Sequence, residues 1–208
     1  MTVIVVRHGE SRGNHLRIIQ GTLDEPLTEI GVTQAEAVAG RLSSFDVAAL
    51  YASPLVRAYH TAEPIAARLR LPIVSVTELQ ERHFGDAQGL TAEQRGERWP
   101  ARAVHDRDWA ADIPGVEPID ELRRRAARVL DELLERHAGE TAVAVSHGGT
   151  ITQMIGHALG LPGGVTPRIR LGNTSLTTFD GPPGTPVLTM LNDRCHLGRE
   201  ERTSPPAM

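Results

Sequence analysis

The chain has 208 residues, 40% of them hydrophobic, and a formal net charge of -4 at pH 7, which together predict one globular domain. Nucleic-acid binding is disfavoured, because the chain has no overall positive charge and only 3% of its residues are aromatic. All 22 basic residues are arginine, which excludes a Walker-type phosphate lysine and a lysine Schiff base. Any bound anion is therefore expected to meet arginine side chains.

The single cysteine and the N-terminal residues bear on the cellular compartment. Cys195 has no partner for an internal disulfide or for a cysteine-based zinc site. Residues 1–6 are too short for a signal peptide, and no apolar run approaches the roughly 18 residues of a membrane span. We therefore expect a cytoplasmic protein that does not bind membranes.

Apolar runs alternate with helical spacing along most of the chain. The predicted elements are a strand at 3–6, a loop at 12–26, a helix opened by Thr28 and ended at Ser43-Ser44, a strand at 47–52, a helix at 55–69, a strand at 73–76, a helix at 119–136, a strand at 141–145, a helix at 150–159, and strands at 175–179 and 187–191. This alternation predicts an open, mostly parallel, three-layer α/β sheet, with the last two strands as an antiparallel pair.

Residues 91–118 interrupt the alternation. They are polar, contain both tryptophans, Trp99 and Trp109, and predict short helices and loops that form a small cap on a single domain spanning 1–198. The tail at 199–208 is expected to be flexible. In the helix at 119–136, the arginine run Arg123 to Arg125 is typical of a solvent-exposed face.

Histidines follow two of the predicted strands. Arg7 and His8 come directly after the first strand, and His147 follows the fourth; each histidine precedes a glycine, Gly148 in the second case. Ligands of such sheets bind beyond the carboxyl ends of the strands, and glycine permits close approach of a ligand. We expect both histidines at the same edge of the sheet.

Arg57 and Glu81 supply the charged groups that phosphate chemistry needs. Arg57 alone is typical of a surface arginine, but with Arg7 and a helix N-terminus it would bind a phosphate dianion. A neutral imidazole held against a phosphate monoester can form a phosphohistidine, while arginines and a second histidine stabilise the equatorial oxygens. Glu81 is the candidate general acid, because a nearby phosphate favours its protonated form. The alternative for Glu81 is a loop salt bridge with Arg82.

Five blocks occur in order along nearly the whole chain: Arg7-His8-Gly9-Glu10-Ser11, Leu27-Thr28-Glu29-Ile30-Gly31, Ser53-Pro54-Leu55-Val56-Arg57-Ala58, Leu79-Gln80-Glu81-Arg82-His83-Phe84-Gly85 and Ser146-His147-Gly148-Gly149. Together they resemble the histidine phosphatase superfamily, in its phosphoglycerate-mutase-like branch and of the broad-specificity phosphatase type. The resemblance implies a mixed six-stranded sheet in the order 3-2-4-1-5-6 with strand 5 antiparallel.

The resemblance also implies residue roles. It makes His8 the phosphorylated nucleophile, Glu81 the proton donor and His147 the second histidine of the pocket. The candidate phosphate-binding residues are Arg7, Ser11, Asn14, Arg57, His147 and Gly148. It implies no metal and no other cofactor.

The expected reaction is hydrolysis of a small phosphorylated metabolite through a phosphohistidine. The segment from Gly89 to Ser146 is short for a mutase and mixes charges, whereas the block Glu81 to Gly85 resembles the mutases. A phosphoglycerate mutase, which would use a bisphosphoglycerate primer, is therefore the alternative. A non-catalytic phospho-ligand binding protein and a metal site at His8, His83 and His147 are further hypotheses. The expected partner is a small phosphate ester, and both a monomer and a homodimer are compatible with the sequence.

Overall fold

The structure, a computed structural model, describes residues 1–100 and 108–198. Its strands are β1 Thr2–Arg7, β2 Val47–Ala52, β3 Ile73–Ser75, β4 Thr141–Ser146, β5 Leu176–Asp180 and β6 Val187–Asp193. Its helices are α1 Arg12–His15, α2 Glu29–Leu42, α3 Val56–Leu69, α4 Ala92–Arg98, α5 Ile119–Arg136 and α6 Gly148–Ala158, with 3-10 turns at Thr77–Leu79 and Gly85–Ala87.

The strands form one mixed sheet in the order β3-β2-β4-β1-β5-β6. β4 pairs in parallel with both β1 and β2, and β2 with β3, whereas β5 is antiparallel to β1 and β6. This confirms the strand order and the antiparallel strand 5 that the family resemblance implies. In the β1–β4 register Arg7 pairs with Ser146, so His8 and His147 follow at the same edge of the sheet.

Helices cover both faces of the sheet, which confirms the three-layer α/β/α architecture. Val3 and Val5 of β1 pack in the core cluster that contains residues of α5 and α6. Ile4 and Val6 pack in the other cluster, with residues of α2 and α3. Successive side chains of a strand point to opposite faces, so an uninterrupted apolar run is what a strand buried on both faces requires.

Several local expectations differ from the structure, among them three at α1, α6 and β3. The predicted loop at 12–26 begins with the one-turn helix α1, because the Ser11 side chain and Asn14 form a capping box. α6 starts earlier than predicted, at Gly148, with His147 as its N-cap. β3 ends at Ser75 rather than at residue 76, because only three of its residues pair with β2 at the sheet edge.

The prediction of a solvent-exposed arginine run on α5 is wrong for two of its three members. Arg124 is exposed, but Arg123 and Arg125 are half-buried. Arg123 donates to Gln153 Oε1 at 2.6 Å and to the Val165 carbonyl at 2.6 Å. These two arginines contact other segments of the same chain.

The segment 91–118 contains α4, whose N-terminus is closed by a capping box between Thr91 and Gln94. Trp99 packs against a small cluster formed by Ala87, Ala110 and Ile113. Residues 101–107 lie outside the described part of the chain, and so does the tail at 199–208 for which flexibility is predicted. Within residues 1–100 and 108–198, no helix has the length and apolar character needed to cross a membrane.

Candidate active site

A cavity of about 590 Å³ lies at the carboxyl ends of the central strands. The predicted site residues on its wall are Arg7, His8, Asn14, Arg57, Glu81 and Gly148. The other two, Ser11 and His147, are fully buried and do not belong to the wall. His83, the third histidine of the metal hypothesis, is exposed and lies outside the lining.

His8 is a buried, neutral imidazole. Its Nδ1 lies 2.7 Å from the Gly9 carbonyl oxygen. Because a carbonyl can only accept, Nδ1 carries the hydrogen and Nε2 keeps its lone pair. Burial lowers the pKa of His8 well below its usual value, and the charges of Arg57 and Arg7 lower it further. The ring is therefore neutral at physiological pH.

His147 lies beside His8, with ring centroids 5.2 Å apart and the planes tilted by 54°. Its Nε2 is 2.8 Å from Ser53 Oγ, and its buried Nδ1 has no hydrogen-bond partner among the described residues. Burial lowers the pKa of His147 well below its usual value, and Arg57 is the largest electrostatic contribution in the same direction. Two neutral imidazoles are therefore adjacent at the sheet edge.

Arg7 and Arg57 place two cations beside these histidines. Arg57 donates to the carbonyls of Leu23 and Gly21, each at 2.7 Å, and Arg7 donates to the Leu171 carbonyl. The buried Nε of each arginine has no protein partner within the described ranges. Burial lowers the pKa of both guanidinium groups to about 10, so both keep their charge at neutral pH.

Glu81 faces the same cavity and is held by backbone amides. Its Oε1 accepts from the Arg82 N–H at 2.8 Å and its Oε2 from the Gly149 N–H at 2.9 Å. The Arg82 side chain instead binds both carboxylate oxygens of Asp108, at 2.7 and 2.5 Å. The alternative prediction for Glu81, a loop salt bridge with Arg82, is therefore wrong.

Asn14 and Ser11 have different positions in the site. Ser11 Oγ is 2.7 Å from Gln20 Oε1, and its backbone N–H donates to Asn14 Oδ1 at 3.2 Å. Asn14 Oδ1 also accepts from Asn173 Nδ2 at 3.1 Å. The oxygen of Asn14 is thus engaged by the protein, which leaves its amide NH2 as the group that can donate to a ligand. Ser11 orients Asn14 from behind the wall.

Several contacts of the site could not be predicted from the sequence. Asn173 donates to the His8 carbonyl at 3.1 Å across 165 positions, and Ser53 reaches His147 across 94. On the outer wall Trp109 stacks on Phe84, with centroids 5.3 Å apart and planes at 14°. The Cζ of Arg95 lies 4.9 Å from the Trp109 ring centroid. Ser53 and Phe84 stand in two of the blocks that resemble the family, and Trp109 is an aromatic residue within the polar segment 91–118, but the sequence alone does not predict these contacts.

The charge of the cavity is opposite to that of the whole chain. Among the described lining residues the arginines are Arg7, Arg17, Arg57, Arg82, Arg95 and Arg170, and the acidic residues are Glu81 and Asp108. A concave site with an excess of one sign of charge concentrates ligands of the opposite sign. The cavity therefore attracts anions although the chain has a net charge of -4.

Two solved structures have the same fold over almost their whole length. A mycobacterial glucosyl-3-phosphoglycerate phosphatase, determined with VO3, has a TM-score of 0.84 and 30% identity, with 93% of this chain and 99% of that chain covered. A phosphoserine phosphatase from Entamoeba histolytica, determined with 3-phosphoglyceric acid, has a TM-score of 0.80 and 32% identity, with 94% and 98% covered. The fold is of the phosphoglycerate-mutase-like class.

Sequence comparison identifies the superfamily within this fold class. The model of the histidine phosphatase superfamily (branch 1) matches residues 3–194. The chain is 38% identical over 185 residues to a Yersinia pestis protein named "Probable phosphoglycerate mutase GpmB", which covers 86% of this chain and 85% of that protein. It is 40% identical over 157 residues to phosphoglycerate mutase-like protein 4 of Arabidopsis thaliana, which covers 73% and 68%. The chain belongs to branch 1 of the histidine phosphatase superfamily, and the resemblance noted in its sequence is confirmed.

Proposed function

We propose that the protein hydrolyses a small phosphate monoester through a covalent phosphohistidine at His8. The observation that carries the proposal is the hydrogen bond from His8 Nδ1 to the Gly9 carbonyl at 2.7 Å. It leaves the Nε2 lone pair as the nucleophile of a ring that burial keeps neutral. An imidazole that was protonated, or bonded through Nε2, would not attack phosphorus.

In the first step, His8 Nε2 attacks phosphorus in line with the ester oxygen. The N–P bond forms as the P–O bond to the alcohol breaks, and Glu81 donates a proton to the leaving alkoxide. The donors proposed for the equatorial oxygens are Arg7, Asn14, Arg57 and the Gly148 backbone N–H. His147 is not part of the wall, and its Nδ1, which has no partner among the described residues, is the atom proposed to donate to the phosphoryl group. Gly148 begins α6, so the positive end of the helix dipole also favours the phosphoryl group.

In the second step, water attacks the phosphohistidine. Glu81, now a carboxylate, removes a proton from the water as the O–P bond forms and the N–P bond breaks. Inorganic phosphate leaves, His8 returns to its neutral form, and Glu81 is protonated again for the next turnover. This cycle uses no metal and no other cofactor.

A phosphoglycerate mutase is the second candidate, because one sequence relative is named a probable phosphoglycerate mutase and the other a phosphoglycerate mutase-like protein. Hydrolysis is favoured by the two fold neighbours, which are named as phosphatases. The cavity of about 590 Å³ is also within the range of roughly 300–1,000 Å³ that is typical of drug-sized ligands and has room for more than a three-carbon acid. A sugar-linked phosphoglycerate is therefore the first substrate to test, and phosphoserine is tested beside it because one fold neighbour is named for that substrate.

The deciding experiment compares hydrolysis with isomerisation in the presence of a chelator. The purified protein is incubated with p-nitrophenyl phosphate, phosphoserine, glucosyl-3-phosphoglycerate and 3-phosphoglycerate, and phosphate release is measured. Conversion of 3-phosphoglycerate to its 2-isomer is followed in parallel with a bisphosphoglycerate primer. We expect metal-independent phosphate release that is faster than isomerisation. Faster isomerisation identifies a mutase, and phosphate binding without turnover identifies a non-catalytic binding protein.

We also propose that residues 1–198 form one domain in which residues 91–118 act as a small cap over the cavity. The bidentate pair between Arg82 and Asp108 supports this arrangement, because it joins the cap to the segment that carries Glu81. A cytoplasmic location is proposed from the sequence, and fractionation of cells tests it. Light scattering distinguishes the monomer from the homodimer.

A further inference from the structure

We infer that Arg125 of α5 is a positioning residue that holds Glu81 in place for proton transfer and joins it to the cap. The inference rests on the proposed function, in which Glu81 is the general acid. Arg125 does not line the cavity, so its effect on the reaction is exerted through the backbone that carries Glu81.

The first observation is that Arg125 binds three backbone carbonyls of residues 78–81, the segment that carries Glu81 and is called the acid segment below. Its Nη1 donates to the carbonyls of Glu78 and Gln80, at 2.8 and 2.6 Å, and its Nη2 donates to the carbonyl of Glu81 at 3.0 Å. The rigid guanidinium group can serve several acceptors at fixed angles. It therefore sets the path of the chain from residue 78 to residue 81.

This segment needs such support because it lies beyond the end of β3. There, side chains rather than a neighbouring strand bind its carbonyls. Ser146 Oγ donates to the Leu79 carbonyl at 2.7 Å, and Thr150 Oγ1 donates to the Gln80 carbonyl at 2.6 Å. Arg125 is the charged member of this set and makes the largest number of these bonds.

The second observation is that Arg125 also binds the C-terminal end of the cap. Its Nε and Nη2 donate to the two carboxylate oxygens of Glu117, at 2.7 and 2.9 Å. The Glu117 backbone N–H in turn donates to the His83 carbonyl at 2.8 Å, and Arg82 Nε donates to the Glu117 carbonyl at 2.8 Å. One guanidinium group thus joins α5, the acid segment and the cap.

A shift of this backbone would move the Glu81 carboxylate relative to the substrate. The carboxylate is held by one amide on its own segment, that of Arg82, and by one on α6, that of Gly149. If residues 78–81 move relative to α6, the second bond and the alignment with the leaving oxygen are lost. Proton transfer needs placement of the acid to within about 0.5 Å. We therefore expect protonation of the leaving group to be the step that slows.

The test uses Arg125→Gln and two substrates that differ in their need for a proton. An alkyl phosphate has a poor leaving group that must be protonated, whereas p-nitrophenyl phosphate has an activated one. We expect kcat/KM for the alkyl phosphate, which reports the phosphorylation step, to fall on the order of 10-fold or more, within the range of general-acid effects, with little change in kcat/KM for the aryl ester. The matched control is Arg124→Gln, the neighbouring residue of the same helix, whose side chain is 73% exposed; it should leave both substrates unaffected.

A double variant tests whether the two residues act on the same step. With the alkyl phosphate, Glu81→Gln combined with Arg125→Gln should be no slower than Glu81→Gln alone, because a positioning residue has no effect once the acid is gone. Equal losses of Arg125→Gln on both substrates, or additive losses in the double variant, overturn the inference. Absence of hydrolysis by the wild-type protein overturns the proposed function instead.

Arg125→Lys is a second variant that tests the inference if the Arg125→Gln protein does not fold. Lysine keeps the charge, but its single ammonium group cannot serve three carbonyls and a bidentate carboxylate together. We expect a folded protein with a smaller loss that is again confined to the alkyl phosphate. A wild-type kcat/KM for the alkyl phosphate in this variant contradicts the inference.

Discussion

Gly149 donates its backbone N–H to Glu81 Oε2 at 2.9 Å, although 68 positions separate them in the sequence. A Cβ atom at position 149 would overlap the Glu81 carboxylate. The second residue of α6 therefore has no room for a side chain, because the Glu81 carboxylate occupies the space that a side chain would need.

Gly149→Ala should therefore displace Glu81 while the fold is kept. We expect a larger decrease in kcat/KM for alkyl phosphates than for p-nitrophenyl phosphate, relative to the wild type, with no decrease in Tm. Gly96→Ala is the control, because no atom lies within 4 Å of a Cβ at that position of α4. In a helix this change stabilises by up to about 1 kcal/mol and should not affect turnover. Unchanged kcat/KM for Gly149→Ala would contradict the position assigned to Glu81.

His8→Ala should abolish both steady-state turnover and the acid-labile phosphoenzyme, since it removes Nε2. The measurement is trapping of labelled phosphate on acid-quenched protein, beside phosphate release. His60→Ala, at an exposed position of α3, should trap as much label as the wild type. Normal turnover by His8→Ala would show that the nucleophile is another residue.

Glu81→Gln should slow hydrolysis of alkyl phosphates on the order of 10²-fold, the usual scale for loss of a general acid. The amide cannot donate a proton to an alkoxide, but an aryl leaving group needs none. The measurement is kcat/KM, which reports the phosphorylation step, over a series of esters with leaving groups of increasing pKa. If the rate depends on leaving-group pKa with the same slope as in the wild type, Glu81 is not the acid.

Arg57→Lys should weaken phosphate binding, because lysine cannot hold the carbonyls of Gly21 and Leu23 and donate to a ligand as well. Loss of a hydrogen bond to a charged group costs about 1.5–3 kcal/mol, which corresponds to at least 10-fold weaker inhibition by phosphate. The inhibition constants are compared with those of Arg68→Lys, at an exposed position of the same helix. Equal constants for the two variants would exclude Arg57 from the phosphate site.

The buried histidines should make stability depend on pH. Their pKa values in the folded protein are lowered, whereas unfolded histidine titrates near about 6.5. The unfolded state then binds more protons, so the free energy of unfolding is highest above that value and falls as pH decreases toward the folded pKa values. Each histidine contributes about 1.4 kcal/mol per pH unit in this window. The His8→Asn variant should show a shallower decrease in denaturant titrations between pH 7 and 5; an unchanged slope would contradict the burial of a neutral His8.

The apolar run of β1 was sufficient to predict where His8 would lie. A strand buried on both faces has a distinct sequence pattern, and its carboxyl end is where ligands bind in such a sheet. The similar apolar run of Thr141–Ser146 predicted the position of His147 for the same reason. Arg57 and Glu81 were identified because each follows its own strand at a short distance.

The surroundings of these residues could not be predicted in the same way. The polar face of α5 has the pattern of any amphipathic helix, and that pattern does not say whether the face meets solvent or other segments of the chain. Arg125 reaches carbonyls 44 to 47 positions away, and these contacts exist only once α5 has packed beside the acid segment. The contact of Asn173 with His8 depends likewise on the antiparallel placement of β5 beside β1.

The guanidinium groups of Arg7 and Arg57 have two kinds of partner. Their Nη atoms bind the carbonyls of Leu171, Leu23 and Gly21, while each Nε has no hydrogen-bond partner among the described residues and is proposed to bind the ligand. Ligand occupancy and the order of these loops are therefore thermodynamically linked, since a ligand that immobilises either guanidinium also immobilises the backbone bonded to it. Bound phosphate is expected to slow amide hydrogen exchange around residues 21–23 and 171, at sites that it does not touch.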